Sequence, residues 1–377
     1  MLRQSAASLP LPSQDALQHS AALYRLISEE IKAQGCISFA HYMQLALYAP
    51  GLGYYVAGSH KLGAAGDFVT APLISPLFSA CIAQQASEVF LPIAGDILEL
   101  GAGTGQMAVD ILQTLNQCNQ LPSHYYILEI SPHLRACQQQ KLQEAGVDTL
   151  TNVIWLDQLP RAFRGIIIAN EVLDAMPVQR FLVTDEGFAP WGVGLNPQGF
   201  FQWQLLAAAD MAWQVSLQQY QQAALEKMPV GYTSEINCAL PAFIASLSDC
   251  LQQGAILLID YGFERTQYYM PQRSEGTLMC HYRHHAHDDP FFYPGLQDIT
   301  AHVDFTAVME AALAQGLQVA GFATQAQFLL ALGLLEEAQK QLAHADKITQ
   351  LRISQQLQQL TAPHEMGELF KVVLLTR

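Results

Sequence analysis

Glu99-Leu100-Gly101-Ala102-Gly103-Thr104-Gly105 follows an apolar run at 96–100 and precedes residues 106–115, whose apolar positions recur at helical spacing. A strand that turns through closely spaced glycines into a helix is the opening unit of an α/β sheet. Glycine there lets the backbone turn tightly and approach a ligand at the helix start. The loop is not a Walker A sequence, because no Gly-Lys-Ser/Thr follows. Nor is it a dinucleotide fingerprint: after Gly101 and Gly103 the third glycine falls at 105, and Gln106 holds the expected place.

On either side of this loop, short apolar runs alternate with helical stretches. Strands are expected at 96–100, 125–130, 153–156, 165–169 and 255–260, with helices at 106–115 and 132–145. Apolar strands without alternation read as a parallel sheet covered on both faces. Two more strand-like runs, 318–323 and 369–375, flank a helical insert. The first 92 residues read as helical, with stretches at 16–33, 37–48 and 76–90 and Gly-rich loops between. Between the fourth and fifth strands the link is far too long for a simple crossover. Residues 181–204 are β-patterned and 211–226 are Gln-rich and helical, so this link reads as an inserted subdomain. The expected organisation is a helical N-terminal region at 1–92, a core at 93–180 and 251–377, and an insert at 181–250.

The chain has 18 Lys+Arg against 33 Asp+Glu, a net charge of −15, and only 14% charged residues. An average soluble domain has about 25%. The sign argues against nucleic acid, whose binding needs a basic surface, and against an anionic membrane surface. No stretch reaches the roughly 20 apolar residues of a membrane span. Seven scattered cysteines form no C-x-x-C pair and read as reduced thiols. Residues 1–14 hold one Arg and no acid, and lack the apolar region of a signal peptide. The expected location is the cytoplasm, with the mitochondrial matrix as the alternative. His281, His284, His285 and His287, with Asp288 and Asp289, crowd into nine residues, so no metal is expected there.

Each of the five expected parallel strands ends at or beside an acid: Glu99, Glu129, Asp157, Glu171 and Asp260. Open α/β sheets bind ligands beyond the carboxyl ends of their strands. A carboxylate-lined crevice suits a cation and repels a phosphate; the competing reading is that these acids cap the helices that follow. Glu129 can accept both hydroxyls of a ribose, as in NAD or S-adenosylmethionine. Glu99 separates the two, because the methionyl moiety carries an ammonium and a sulfonium and no phosphate. Asp157 and Gln158 are placed to reach an adenine. Asn170-Glu171-Val172-Leu173-Asp174 stands where the transferred group would lie. If the acceptor is a guanidinium, Glu171 can orient it bidentately and help remove a proton, with positioning supplying most of the acceleration. Alternatively Asn170 is an N-cap, with Glu171 and Asp174 in the first helical turn.

These residues resemble the MidA-like family of class I S-adenosylmethionine-dependent methyltransferases. The resemblance includes Tyr48-Ala49-Pro50 with Gly53-Tyr54-Tyr55, then Gly66-Asp67-Phe68-Val69-Thr70-Ala71-Pro72 and the 99–105 loop. It continues through Glu129-Ile130-Ser131-Pro132, Asn170-Glu171, Glu235-Ile236-Asn237, Asp260-Tyr261-Gly262, Gly276-Thr277-Leu278 and residues 298–305. It implies an α/β, Rossmann-like seven-stranded, mostly parallel sheet with helices on both faces and a substrate-side insert. It also implies S-adenosylmethionine as cofactor, held around Gly101, Ala102, Gly103, Gly105, Glu129, Ile130 and Asn170, with Asp67 and Thr70 in a covering loop. Glu171, Asn170 and Asp174 are the expected catalytic residues; Asp260, Tyr261, His285 and His302 are expected on the substrate side. By analogy with the family's mitochondrial members, the acceptor is a protein arginine in a subunit of a respiratory complex. A homodimer is left open. The alternatives are a non-catalytic assembly factor that keeps the cofactor fold and, disfavoured by Glu99 and Gln106, a nicotinamide-dependent oxidoreductase.

Overall fold

The run at 96–100 forms β1 (Asp96–Leu100), a strand of a sheet that also holds β2 (His124–Leu128), β3 (Asn152–Leu156), β4 (Phe163–Asn170), β5 (Leu251–Phe263), β6 (Gln318–Thr324) and β7 (Phe370–Thr376). This is a computed structural model that describes residues 9–57, 70–206, 228–343 and 345–377. The strands hydrogen-bond in the order β6-β7-β5-β4-β1-β2-β3. From β5 through β3 all pairs are parallel, and β7 is antiparallel to both neighbours.

The apolar strands have a direct physical reason. Ile97, Ile166, Ile168, Leu257 and Ile259 pack into one core with Phe78, Ile82, Ile111 and Leu112 from helices. The alternate residues Leu98, Ile167, Ile256 and Leu258 are equally buried, so the strands are covered on both faces. Each such side chain contributes roughly 1.5–3 kcal/mol relative to exposure. Helix Pro132–Glu144 is different: it buries only Gln138 and Leu142. Its start is fixed by Ser131, whose side chain accepts the Leu134 N–H, and by Pro132 in the first turn. Helices Gln325–Ala331, Leu334–Leu342, Lys347–Thr361 and Met366–Leu369 stand between β6 and β7.

The chain separates into two compact units. The sheet unit comprises Val69–Leu173, Pro241–Phe263 and Phe305–Arg377. The other comprises Met1–Phe68, Asp174–Leu240 and Glu264–Asp304. In this second unit Gln179–Thr184 lies between Gly187–Leu195 and Thr233–Ile236, and Phe201–Leu205 pairs with Gly187–Leu195. A separate three-stranded sheet joins His285–His287, Met279–Tyr282 and Asp298–Thr300. Helices Gln14–Gln34 and Phe39–Tyr48 bury Leu23, Ile27, Phe39 and Tyr42 in the same core as Phe201. Two motif pairs meet inside this unit: Tyr55 donates to Asp298 (2.9 Å), and the Thr277 N–H donates to Glu235 (2.7 Å).

This division differs from the expected one at 92, 180 and 250. Helix Pro76–Phe90 belongs with the sheet, because Leu77, Phe78 and Ile82 complete its core. Residues 174–180 and 264–304 group with the second unit, drawn there by the pairing of Gln179–Thr184 and by the three-stranded sheet. The helix expected at 211–226 lies outside the described residues. Among those described, no helix is long and apolar enough to cross a membrane.

Asp96, Gly165 and Gly254 lie side by side at the start of β1, β4 and β5. Gly165 has φ of 139°, and a Cβ there would stand 1.9 Å from the Asp96 carbonyl oxygen. Gly316, with φ of 75°, has no atom within 4 Å of such a Cβ. Urea denaturation should therefore show Gly165→Ala losing more than about 2 kcal/mol and Gly316→Ala only about 1 kcal/mol. Equal losses would mean that conformational strain, not the interstrand clash, sets the requirement for glycine.

Candidate cofactor and active site

Beyond β1 the chain enters the glycine loop with Gly101 donating its N–H to the Leu128 carbonyl (3.0 Å). Gly101, Gly103 and Gly105 have φ of 62°, 53° and 81°, a run of left-handed positions that side chains resist. Gly105 is the N-cap of helix Gln106–Gln117 and offers no capping side chain. The helix's first N–H groups therefore have no cap from that residue, as at an anion- or dipole-binding helix start.

The strand-end acids divide into distinct environments. Glu99 is buried and accepts the Tyr125 hydroxyl at 2.7 Å. Burial raises its carboxyl to about 7; the Tyr125 hydrogen bond opposes this and the charge of Glu129 adds to it. Glu129 is also buried, and accepts the Ser131 N–H on Oε1 (2.8 Å) and the Gln138 amide on Oε2 (3.0 Å). Its pKa is raised by burial and held back by those bonds. The Asp157 side chain is 88% exposed and pairs with Arg135 at 2.9 Å. Gln158 is exposed, and Ile130 presents an apolar side chain that is 59% exposed. Ala102 is buried within the loop.

Asn170 ends β4, buried, and donates from Nδ2 to Glu171 Oε1 (3.1 Å). Its Oδ1 is buried and has no hydrogen-bond partner among the described residues. Glu171 has φ of 53°, an uncommon value for a residue with a side chain, and donates its N–H to the Ile259 carbonyl (2.9 Å). Asp260 explains how this turn is held. Its Oδ2 accepts the Leu173 N–H and its Oδ1 the Tyr261 N–H, both at 2.9 Å. Asp260 is thus engaged by backbone, and Tyr261 packs edge-on against Phe370.

The remaining expected site residues are spread more widely. Thr70 precedes helix Ala71–Ile74 at the N-cap position, and its side chain makes no cap bond. Asp67 lies outside the described residues. Asp174, His285 and His302 fall in the second unit. There Asp174 is buried and its carbonyl accepts the Ala301 N–H (3.0 Å). His285 is exposed beside the turn at Arg283 and His284, and His302 is half-buried, receiving the Thr277 hydroxyl as acceptor for its N–H (3.1 Å). Among the described residues no group of three His, Cys, Asp or Glu is arranged to hold a metal ion.

Sequence reasoning missed three participants. Tyr125 partners Glu99, Arg135 donates to the Glu129 and Leu156 carbonyls, and Gln138 links Glu129 to Gly103 and Trp155. The available signal for Gln138 was its spacing of four from Leu142, the other buried residue of its helix.

Residues 80–323 match the model of a family described as "Putative S-adenosyl-L-methionine-dependent methyltransferase". The chain is 40% identical to a COG1565 superfamily member from Burkholderia thailandensis in a crystal structure bound to S-adenosyl-homocysteine. That likeness has a TM-score of 0.91 and covers 98% of this chain and 95% of the other. A zebrafish (Danio rerio) protein named "Protein arginine methyltransferase NDUFAF7, mitochondrial" is 27% identical over 378 residues, covering 93% of this chain and 86% of that protein. The rat (Rattus norvegicus) protein of the same name is 29% identical, covering 93% of this chain and 84% of that protein.

Glu99 gives this site a pH signature. Its carboxyl is raised from 4.5 to about 7, so the folded state prefers the neutral form. That contribution to stability is complete below pH 4.5 and is lost as pH rises through about 7. The Tm of the ligand-free protein should fall more steeply between about pH 4.5 and 7 than that of Glu99→Gln. A ligand ammonium placed beside Glu99 reverses the preference, so S-adenosylhomocysteine binding near pH 6 should release a fraction of a proton, read by calorimetry in buffers of different ionisation enthalpy. The same Tm slope and the same proton release in Glu99→Gln would assign the effect to another group.

Proposed function

We propose, from the premise that the chain belongs to the S-adenosylmethionine-dependent methyltransferase family matched over residues 80–323, that it methylates a guanidinium nitrogen of an arginine in a protein substrate. The observation that carries the reading is the Asn170–Glu171 pair at the carboxyl end of β4. It combines a carboxylate with a buried carbonyl oxygen that has no donor among the described residues. The names of the relatives point to the same acceptor.

The residues present fit the cofactor. Glu129 is set to accept ribose hydroxyls, Glu99 to balance an ammonium, and the side-chain-free loop to let a ligand approach the start of helix Gln106–Gln117. Ile130 and Asp157 would border the adenine at the ends of β2 and β3. Buried carboxylates at two adjacent strand ends are a poor setting for a pyrophosphate, which removes support from the nicotinamide alternative. When bound, the cofactor supplies a methyl group on an electron-poor sulfonium.

The chain's own part is positioning and proton transfer. Glu171 orients the guanidinium through two charge-assisted hydrogen bonds and takes up the proton that the nitrogen gives up. Asn170 holds that carboxylate through Nδ2 and presents Oδ1 to an N–H of the bound groups. Asp260 is a positioning residue: it fixes the backbone at Leu173 and so the turn that carries Glu171. Asp174, with His285 and His302, belongs to the unit that we assign to substrate selection. The acceptor protein is read as a respiratory-complex subunit, and the site of action as the bacterial cytoplasm or the mitochondrial matrix.

Mass spectrometry of proteins from wild-type and deletion cells should reveal one lost methylarginine, restored by the purified enzyme with S-adenosylmethionine. Glu171→Gln should lower kcat on that substrate by about 100-fold or more and leave the Kd for S-adenosylhomocysteine within about threefold. A lost methyl mark on a residue other than arginine, or full activity in Glu171→Gln, would remove this assignment.

A further inference from the structure

We propose that Gln138 is the positioning residue for ribose recognition: its side-chain amide locks Glu129 and the glycine loop into one arrangement, so that the carboxylate meets the cofactor's vicinal hydroxyls with its geometry fixed. The proposal rests on the reading that Glu129 accepts those hydroxyls.

Gln138 has no exposed surface. Its Nε2 donates to Glu129 Oε2 and to the Gly103 carbonyl, each at 3.0 Å, and its Oε1 accepts the Trp155 indole N–H at 2.9 Å. Both amide hydrogens and the amide oxygen are thus engaged. The orientation has no workable alternative. Turning the amide over would set its oxygen against a carboxylate and a carbonyl, and its NH2 against an indole N–H. One side chain therefore ties together the end of β2, the loop after β1, and β3.

The surroundings show that this contact is built in. Helix Pro132–Glu144 buries only Gln138 and Leu142, so Gln138 is one of the two side chains it commits to the interior. The loop comes so close that a Cβ on Gly105 would lie 3.3 Å from both Cα and Cγ of Gln138. On its other oxygen, Glu129 is held by the Ser131 N–H at 2.8 Å. A carboxylate accepts about four hydrogen bonds, so these fixed donors orient it and leave acceptor capacity for ligand hydroxyls. An apolar residue of similar shape at 138 would strand the Glu129 oxygen, the Gly103 carbonyl and the Trp155 N–H in a buried setting. Burial already raises the Glu129 pKa, and losing a donor moves it further toward the protonated acid, which offers the ribose one acceptor oxygen fewer.

Calorimetry on the full chain tests this with two probes, S-adenosylhomocysteine and its 2′-deoxyribose analogue. In the wild type the deoxy analogue binds more weakly; in Glu129→Ala the ratio of the two Kd values falls towards one. Gln138→Leu should weaken S-adenosylhomocysteine roughly tenfold or more and bring the same collapse of the ratio. The KM for S-adenosylmethionine should rise while kcat stays within about threefold. If Gln138→Leu does not fold, Gln138→Asn keeps the amide but shortens its reach, and is expected to lose the ratio as well. A folded variant that binds weakly but keeps the wild-type ratio would overturn the proposal, because a purely structural role lowers stability without touching ribose discrimination. If Glu129→Ala itself keeps the ratio, the ribose reading fails first and this proposal falls with it.

Discussion

Two carboxylates, Glu99 and Glu129, are buried at neighbouring strand ends, and much of the site's construction follows from keeping them there. Burying a charge without partners is strongly unfavourable. The chain meets this in two ways. For Glu99 it supplies the Tyr125 hydroxyl and lets the carboxyl move to about 7. For Glu129 it supplies the Ser131 N–H and the Gln138 amide, which oppose the rise that burial causes. In the proposed function, the stability given up at Glu99 is what a cationic group recovers on binding, and Glu129 is the acid held for neutral hydroxyls.

The sheet makes this affordable because its remaining strand positions are almost entirely apolar. Leu98, Ile167, Ile256 and Leu258 on one face, and Ile97, Ile166, Ile168 and Leu257 on the other, are fully buried. That burial anchors β1, β4 and β5 firmly enough for polar groups to be concentrated at their carboxyl ends. Helix Pro132–Glu144 follows the opposite rule. With only Gln138 and Leu142 buried, it depends on polar contacts from Arg135 and Gln138 to the strands it follows. Its docking and the order of the ribose-side acid are therefore one event.

The sequence was informative wherever side-chain pattern decides structure. The 96–105 stretch, the parallel core and the helix starts at Ser131 and Pro76 all follow from apolar runs, glycines and caps. It was silent where backbone pairing decides. Strand β5 begins at Leu251 although Gln252 and Gln253 are polar, because Leu251 pairs with Phe163 and Gly254 with Gly165 in β4. Gln138 was hidden for another reason. It opens the run Gln138-Gln139-Gln140, and only its spacing of four from Leu142 sets it apart from the two identical side chains that follow. The blocks at 48–55, 235–237, 276–278 and 298–305 carried a recognisable pattern. Their pairing through Tyr55–Asp298 and Glu235–Thr277 depends on contacts between distant segments that no local reading supplies.

The row of acids, uniform in sequence, therefore serves unlike ends. Asp157 is solvated and paired with Arg135, where its charge contributes little to stability. Asp260 resembles a turn-forming Asp inside a strand end: both of its oxygens accept backbone N–H groups, and the turn it shapes keeps Glu171 at φ of 53°. A non-glycine residue at that angle costs of order 1–3 kcal/mol and persists only where the surroundings fix it. Asp260, the Ile259 carbonyl and Asn170 are those surroundings. The capping reading is thus met at Asp260, while ligand contact is the role proposed for Glu99, Glu129 and Glu171. The capping type of role falls to Asp260, and it is what aims Glu171, the acid proposed to meet the substrate.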